Sequence, residues 1–411
     1  MLRIHTVSTV RRDRRLYEYY LMERFVGNRI IVDLDAVRHN VRFLRSLLPA
    51  RTRFMAAVKA DAYGHGAVAV SRAVLEAGGW GLAVATAEEA VELRDAGIAA
   101  RVLVMGPVCT VAQLEELARR GIEVAVVSPG MVSLLRRVPV SGPVLKVHAK
   151  LDTGMNRQGL LPGSEVEALL DVARSEAHVQ VVGIMTHFAN SSDEPDSVPW
   201  QLERFLPCVE RIRGEWPEAL VHAASSAAVI RHPEAHFDAV RCGIAVYGLS
   251  PFQGDARAEG LMPVMSWTSR VAMVKRVAAG EGVGYGLTFR PVEAHEVALV
   301  SAGYADGVFR ALGNRGQVII RGRRRLMVGR VSMDSFSVDL GDNADAVRAG
   351  DTVTLIGGEG TATVSAEDVA RWAGTINYEI PCAVKLRRAD RVFLHETPRS
   401  DATKTAPTNG G

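Results

Sequence analysis

The stretch Val58-Lys59-Ala60-Asp61-Ala62-Tyr63-Gly64-His65-Gly66 follows an apolar run, Phe54-Met55-Ala56-Ala57, and ends it on a lysine. An ammonium at the end of a buried strand is costly unless something uses it. The ordinary alternative is a solvated surface lysine. Lysine is scarce in this chain: Lys59, Lys146, Lys150, Lys275, Lys385 and Lys404 are the only six among 49 basic residues, which leaves 43 arginines. Where arginine is the habitual cation, a lysine at a strand end reads as an amine kept for chemistry.

Further unusual residues stand at the ends of later apolar runs. Lys150 closes one and is followed by "DTGMNR" with Arg157. His187 closes the next. His222 lies in another, ahead of Ser225 and Ser226, and Arg241 in the last, ahead of Gly243 and Ile244. Singly, each has a plain explanation: a core histidine, an arginine paired with a core acid, serines capping a helix, a tyrosine (Tyr63) at an amphipathic core position. Together they form a basic set with no acid at its centre, which suits an anionic ligand. The Ser226 hydroxyl and the backbone N–H groups around Gly243 and Ile244, ahead of helical "SAAVIRH", would cradle a phosphate. An amine, a phosphate cradle and a deep cation together point to pyridoxal phosphate held as a Schiff base.

The elements that must position these groups are legible as a rhythm. Short apolar runs recur at 54–58, 81–85, 101–105, 122–127, 144–151, 181–188, 220–224 and 239–244. Between them lie segments with apolar residues at helical spacing, polar or acidic starts and terminal glycines, such as "TAEEAVELRDAG" and "TVAQLEELARRG". Residues 31–48 predict a further helix ahead of the first run. Continuous apolar strands alternating with helices imply a parallel sheet. Eight such units in about 200 residues predict an α/β fold, a closed (β/α)8 TIM-like barrel, whose active site lies at the C-terminal strand ends. An open doubly wound sheet is the runner-up, but no G-x-G-x-x-G follows the first strand. From about Ser266 the pattern becomes β-rich with Gly, Asn and Asp turns, which predicts a mostly β C-terminal domain with one short helix, "SAEDVARWAG". The expected organisation is an N-terminal extension over 1–28, the barrel over 29–265, the β domain over 266–396 and a disordered tail over 397–411.

Composition narrows the function classes. The 411 residues are 48% hydrophobic and 23% charged, with a formal net charge of only +3. No apolar run reaches membrane-spanning length, and the basic residues are scattered, so neither a membrane nor a nucleic acid is an expected partner. Cys109, Cys208, Cys242 and Cys382 are far apart with no CxxC, which indicates thiols in a reducing cytoplasm and neither a zinc site nor a disulfide framework. The arginine-rich first 28 residues lack the apolar core of a signal peptide, and Met22 is an alternative start.

With these residues in view, the chain resembles the alanine racemases, the fold-type III pyridoxal-phosphate enzymes. "VKADAYGHG" is similar to their cofactor-lysine motif. The likeness continues through "KLDTGMNRQG" (150–159), "THFANSSDE" (186–194), "HAASSAA" (222–228), "RCGIAVYG" (241–248), "VGYGLTF" (283–289), "GYADG" (303–307), "VGRVSMD" (328–334) and "TINYE" (375–379), in order, over about residues 29–395. The resemblance implies that Lys59 binds the cofactor and is the base on one face, with Tyr285, from the other subunit of a homodimer, the base on the opposite face. It implies that Arg241 bonds the pyridine nitrogen and that His187 and His222 belong to the network linking Tyr285 and Arg241. Tyr63, Ser226, Gly243, Ile244 and Tyr378 match phosphate-binding positions. Arg157 and Met333 match contacts to the substrate carboxylate, and Lys150 matches a lysine often carbamylated. Tyr304 and Arg310 match the entrance corridor. The implied activity is interconversion of L- and D-alanine, supplying D-alanine for peptidoglycan. A racemase of another amino acid such as serine, or a fold-type III amino-acid decarboxylase, are the alternatives. The chain departs from the common pattern at Ser225, Cys242, Phe289 and Ala389, where asparagine, proline, tyrosine and proline are frequent.

Overall fold

Eight short parallel strands close on themselves. After β1 (Asn28–Asp33) the chain forms β2 (Arg53–Ala57), β3 (Gly81–Val84), β4 (Arg101–Val104), β5 (Glu123–Val126), β6 (Leu145–Lys150), β7 (Val179–Met185), β8 (Leu220–His222) and β9 (Ala239–Cys242). Each pairs with the next, and β9 pairs with β2, so the barrel is closed and the open-sheet alternative is excluded. The computed structural model describes residues 27–139, 142–194, 196–385 and 389–397. The extension expected over 1–28 and the tail expected over 397–411 lie, but for residues 27, 28 and 397, outside the described residues.

The strands form where expected because their residues are apolar on both faces. Leu82, Ala83 and Val84, and likewise Val102, Leu103 and Val104, are fully buried. The intervening helices start where the sequence places caps: Thr86 and Glu89 make a reciprocal capping box ahead of Ala87–Asp95, and Thr110 caps Val111–Arg119. One expectation is corrected. The helix expected over 31–48 is Leu34–Ser46, and Ile31–Asp33 belongs to β1, because the Asp33 side chain accepts from Asp35 N and Ala36 N and starts the helix one residue later.

Among the described residues the chain divides into two compact units, one built on residues 31–265, 376–382 and 393–397, the other on 27–30, 266–375 and 383–392. Segment 376–382, read from sequence as part of the β domain, packs with the barrel. The β-rich unit holds β10 (Met265–Val277), β11 (His295–Val300), β12 (Gln317–Ile320), β13 (Arg323–Val328), β14 (Phe336–Gly341), β15 (Thr352–Glu359) and β16 (Ala362–Val364). The first half of β10 pairs with β15 and its second half with β11. The ring β10-β11-β14-β13-β12-β15 therefore closes antiparallel. Val277, Val283, Val297 and Val328 form a small core there, covered by Phe289.

Candidate active site

A cavity of about 700 Å³ opens at the C-terminal ends of the barrel strands. Lys59, Lys150, Arg157 and Arg241 line it, and among the described residues no aspartate or glutamate does. Tyr63, His187, Ser226, Gly243, Ile244 and Tyr378 line it too, so ten of the residues singled out from the sequence meet in one place.

Lys59 is held by a backbone that the sequence did not announce. The glycines of the motif, Gly64 and Gly66, are not where the unusual backbone begins. Instead Ala60, Asp61, Ala62 and Tyr63 all have φ between 52° and 54°, one turn of left-handed helix. This conformation costs L-residues about 1–2 kcal/mol each. Partners hold it in place: Ala62 N donates to Val58 O, Gly64 N to Ala60 O, and Ala67 N to the Asp61 carboxylate. Glu89 accepts from Ala60 N at 2.6 Å through one oxygen and from Ala85 N at 2.7 Å through the other, tying the segment to the next loop. Gly64 closes the turn (φ 79°), where a Cβ would lie 2.3 Å from Pro381 O. Strain of this kind concentrates at working sites.

The cations press on one another. Burial, helped by Arg157, pulls the Lys59 amine below the ordinary lysine range. Burial, then Arg241 and Arg157, brings Lys150 to about 8, and its Nζ donates to Gln158 Oε1 at 2.9 Å. The His187 imidazole lies well below its usual range because it is buried among Arg241, Arg157, Lys150 and Lys59. On the same wall Tyr63 packs against Tyr247 (4.8 Å between centroids) and Tyr378 (6.4 Å). Burial raises both the Tyr63 and the Tyr378 phenols, the latter to about 12, so both are hydrogen-bonding hydroxyls near neutral pH.

Arg241 is the most constrained of the four. Nη1 donates to His222 Nδ1 (2.8 Å) and His222 O (2.9 Å). Nη2 reaches Thr186 O (2.7 Å), Ala223 O (3.1 Å) and, most distantly, His187 Nδ1 (3.5 Å). The barrel itself takes up the Nη protons and leaves Nε–H for a ligand. Desolvation lowers the guanidinium to about 10, still a cation at neutral pH.

The anion cradle is smaller than the sequence suggests. Ser226 Oγ accepts from Gly243 N (3.0 Å) and Ala245 N (3.3 Å), which occupies the Gly243 N–H. The helix Ser226–Arg231 is only six residues long, and Ser225 makes no capping bond. What remains are the Ser226 hydroxyl proton, the Tyr63 and Tyr378 hydroxyls and the N–H of Ile244, first residue of a 3-10 turn and so without a partner inside it. A Cβ on Gly243 would lie 2.5 Å from Tyr63 Oη, so only glycine permits this approach. Hydroxyls and N–H donors beside cations fit a phosphorylated cofactor.

His222 does not line the cavity but stands behind Arg241. Tyr285, Met333 and Tyr304 belong to the β-rich unit and are 72%, 53% and 43% exposed. Tyr285 tops a turn made by Gly284 (φ 67°) and Gly286 (φ 73°). Met333 O accepts from Ala305 N at 2.9 Å, and a Cβ on Gly303 would meet that oxygen at 2.2 Å. "GYADG" and "VSMD" thus form one surface.

Sequence reasoning missed Glu89, whose capping box was the available signal. It also missed Gln201. This residue is fully buried, donates to Thr153 Oγ1 (2.9 Å) and His187 O (3.2 Å), and accepts from Ala189 N (2.7 Å). With the Thr153–Thr186 hydroxyl bond (2.8 Å), it ties the loop carrying Arg157 to the one carrying His187.

A closed eight-stranded barrel with a lysine just past its first strand, a buried arginine on its last and a β-rich unit later in the chain defines a class of two-unit barrel proteins. A family model for the alanine racemase N-terminal domain matches residues 32–251, and one for the C-terminal domain matches 264–393. The chain belongs to the alanine racemase family, which are isomerases. It is 44% identical to an alanine racemase of Symbiobacterium thermophilum, over 89% of this chain and 97% of that protein. Among solved structures it is similar to the alanine racemase of D-cycloserine-producing Streptomyces lavendulae. That match has 39% identity and TM-score 0.84, covering 90% of this chain and 98% of that one. It is similar also to the alanine racemase of Bacillus anthracis solved with bound L-Ala-P, at 35% identity and TM-score 0.82, covering 90% and 95%. Among the described residues no helix is long and apolar enough to cross a membrane.

Proposed function

We propose that this enzyme interconverts L- and D-alanine with pyridoxal phosphate in the barrel cavity, using Lys59 and Tyr285 as bases on opposite faces. The observation that carries the reading is the cavity lined by four cations and, among the described residues, no carboxylate, with the Lys59 amine acidified among them. When bound, the cofactor makes the substrate's α-hydrogen acidic by delocalising the charge left behind. Lys59 is the residue that would hold it covalently. Tyr63, Tyr378, Ser226 and the Ile244 N–H would bind its phosphate, Arg241 Nε–H its ring nitrogen, and Arg157 the substrate carboxylate beside it, with Met333 a second carboxylate contact.

Inversion at carbon needs one group to take a proton from one face and another to return one to the far face. Burial, and then Arg157, lower the affinity of Lys59 for protons, the direction that favours a neutral amine able to accept one. Tyr285, fully built yet exposed on its own unit, suits a group supplied to another subunit's cavity in a homodimer, with Tyr304 near the entrance. Lys150, at about 8, has a reactive neutral fraction at neutral pH, which favours carbamylation and would place a negative charge beside Arg157. Four unpaired cysteines suit the cytoplasm, where D-alanine would enter peptidoglycan synthesis.

The test is incubation of α-deuterated L-alanine, L-serine and basic amino acids with the purified protein. Loss of the label with D-alanine appearing is expected. Carbon dioxide release instead would make the enzyme a decarboxylase, and faster turnover of serine would reassign the substrate.

A further inference from the structure

Behind Arg241 a chain of buried polar groups crosses the barrel interior. His222 Nε2 lies 2.7 Å from His148 Nδ1, His148 Nε2 lies 2.9 Å from Glu123 Oε2, and Glu123 Oε1 lies 3.1 Å from Arg101 Nε. Glu123, His148 and His222 are at most 2% exposed. Arg101 and Arg53 both lie over the Trp80 ring, 4.5 and 4.8 Å from its centroid, which anchors the far end. The members come from β4, β5, β6, β8 and β9. The intervening β7 is built to let them meet. The β6–β7 register shifts between Val147 and His148, and a Cβ on Gly183 would fall 2.0 Å from His148 Nδ1. The extra residue, Val182, lies in β7 and brings Gly183 opposite His148, where a glycine leaves room for the ring.

The direction of every hydrogen bond follows from the two ends. Arginine can only donate, so His222 Nδ1 must accept from Arg241. The His222 proton is then on Nε2, and His148 Nδ1 must accept it. The His148 proton is therefore on Nε2, where the Glu123 carboxylate accepts it. Doubly protonating His148 would force His222 to accept at Nε2 and turn an Nδ1–H toward a guanidinium N–H, donor against donor. A chain polarised one way strengthens each of its links.

We propose that Glu123 and His148 are positioning residues that fix the tautomer of His222 and, through it, aim Arg241 at the cavity. This rests on the reading of Arg241 as the cofactor's ring partner. Because His222 supplies two of the guanidinium's acceptors, a change of tautomer would replace one attraction by a repulsion and swing Nε–H away from the ligand.

Nitrogen NMR of the histidine-labelled holoenzyme tests this directly. Both rings are expected neutral with their proton on Nε2. A proton on Nδ1 of either ring, or a doubly protonated ring, overturns the proposal. In His148→Leu, kcat should fall about tenfold, the order expected on removing a neighbour that orients a working group. KM for alanine should change less than about twofold, and the visible band of bound cofactor should shift. Glu123→Gln offers one acceptor where the carboxylate offers two, to His148 Nε2–H and Arg101 Nε–H, and should weaken the Nε2 preference of both rings. A folded His148→Leu with wild-type band and kcat sinks the idea. If that variant does not fold, the wild-type tautomers still decide. Should the wild type not racemise alanine, the proposed function falls while the tautomer result stands.

Discussion

The two units carry their chemistry in opposite ways. In the barrel the working side chains are buried and crowded, and their proton affinities are displaced by burial and by one another. Strained backbone and hydrogen bonds fix them from several strands. In the β-rich unit Tyr285, Met333 and Tyr304 are exposed, and only their backbones are locked. Binding needs groups whose water is already stripped away, which a barrel mouth provides. A group meant for a cavity outside its own unit must stay exposed until a partner covers it. The difference teaches that cofactor affinity should reside in the barrel and the second proton transfer in the β-rich unit.

The sharpest way to break that division is at the two residues proposed as bases. Lys59→Ala should lower kcat about 10⁴-fold or more, because attachment and one base are lost together, and should abolish the visible band of bound cofactor. Tyr285→Phe should lower racemisation about 10²–10⁴-fold, the range of one general base, while the band persists. A Tyr285→Phe protein that loses cofactor would dissolve the distinction.

Smaller effects sharpen it. Gln201→Leu leaves Ala189 N–H, Thr153 and His187 O without their shared partner and should destabilise the barrel by about 3 kcal/mol. The loss should appear in urea unfolding of the cofactor-free protein, together with a raised KM through Arg157. Lys150→Met tests the cost of an unneutralised cation. A fall from 10.5 to about 8 corresponds to at most about 3 kcal/mol. The folded-state value lies below the unfolded one, so the cost is fully present below pH 8 and fades as pH rises toward 10.5. In carbonate-free buffer the variant should therefore be the more stable at pH 7, with the gap closing above pH 10, as read by denaturant midpoints. Tyr304→Ala, in the exposed unit, should change KM less than about fivefold and leave stability unmoved.

Much was legible along the chain. The eight apolar runs became eight strands because a parallel barrel buries both faces of each, and continuous hydrophobicity records that. Lys59 and Arg241 stood out as charges inside apolar runs. The left-handed turn did not, since Ala-Asp-Ala-Tyr has no residue that prefers positive φ; surrounding bonds impose it. Glu123 was read only as part of an apolar run and His148 as strand filler, because the bonds that use them join β5 to β6 and β6 to β8. Gly183 inside a strand was the one local sign that something approaches closely there. The cradle was overestimated because the sequence names donors but cannot say that Ser226 Oγ already accepts two of them.

By itself the sequence determined which residues would be strands, which charges would be buried, and that an amine and a guanidinium would share one cavity mouth. Those follow from periodicity and desolvation, which are local properties. Only the tertiary structure decided which proton acceptor each donor meets, hence the left-handed seat of Lys59, the one-way chain behind Arg241 and the exposure of Tyr285. Hydrogen-bond partners distant in the chain are chosen by closure of the barrel, and closure is a property of all eight strands at once.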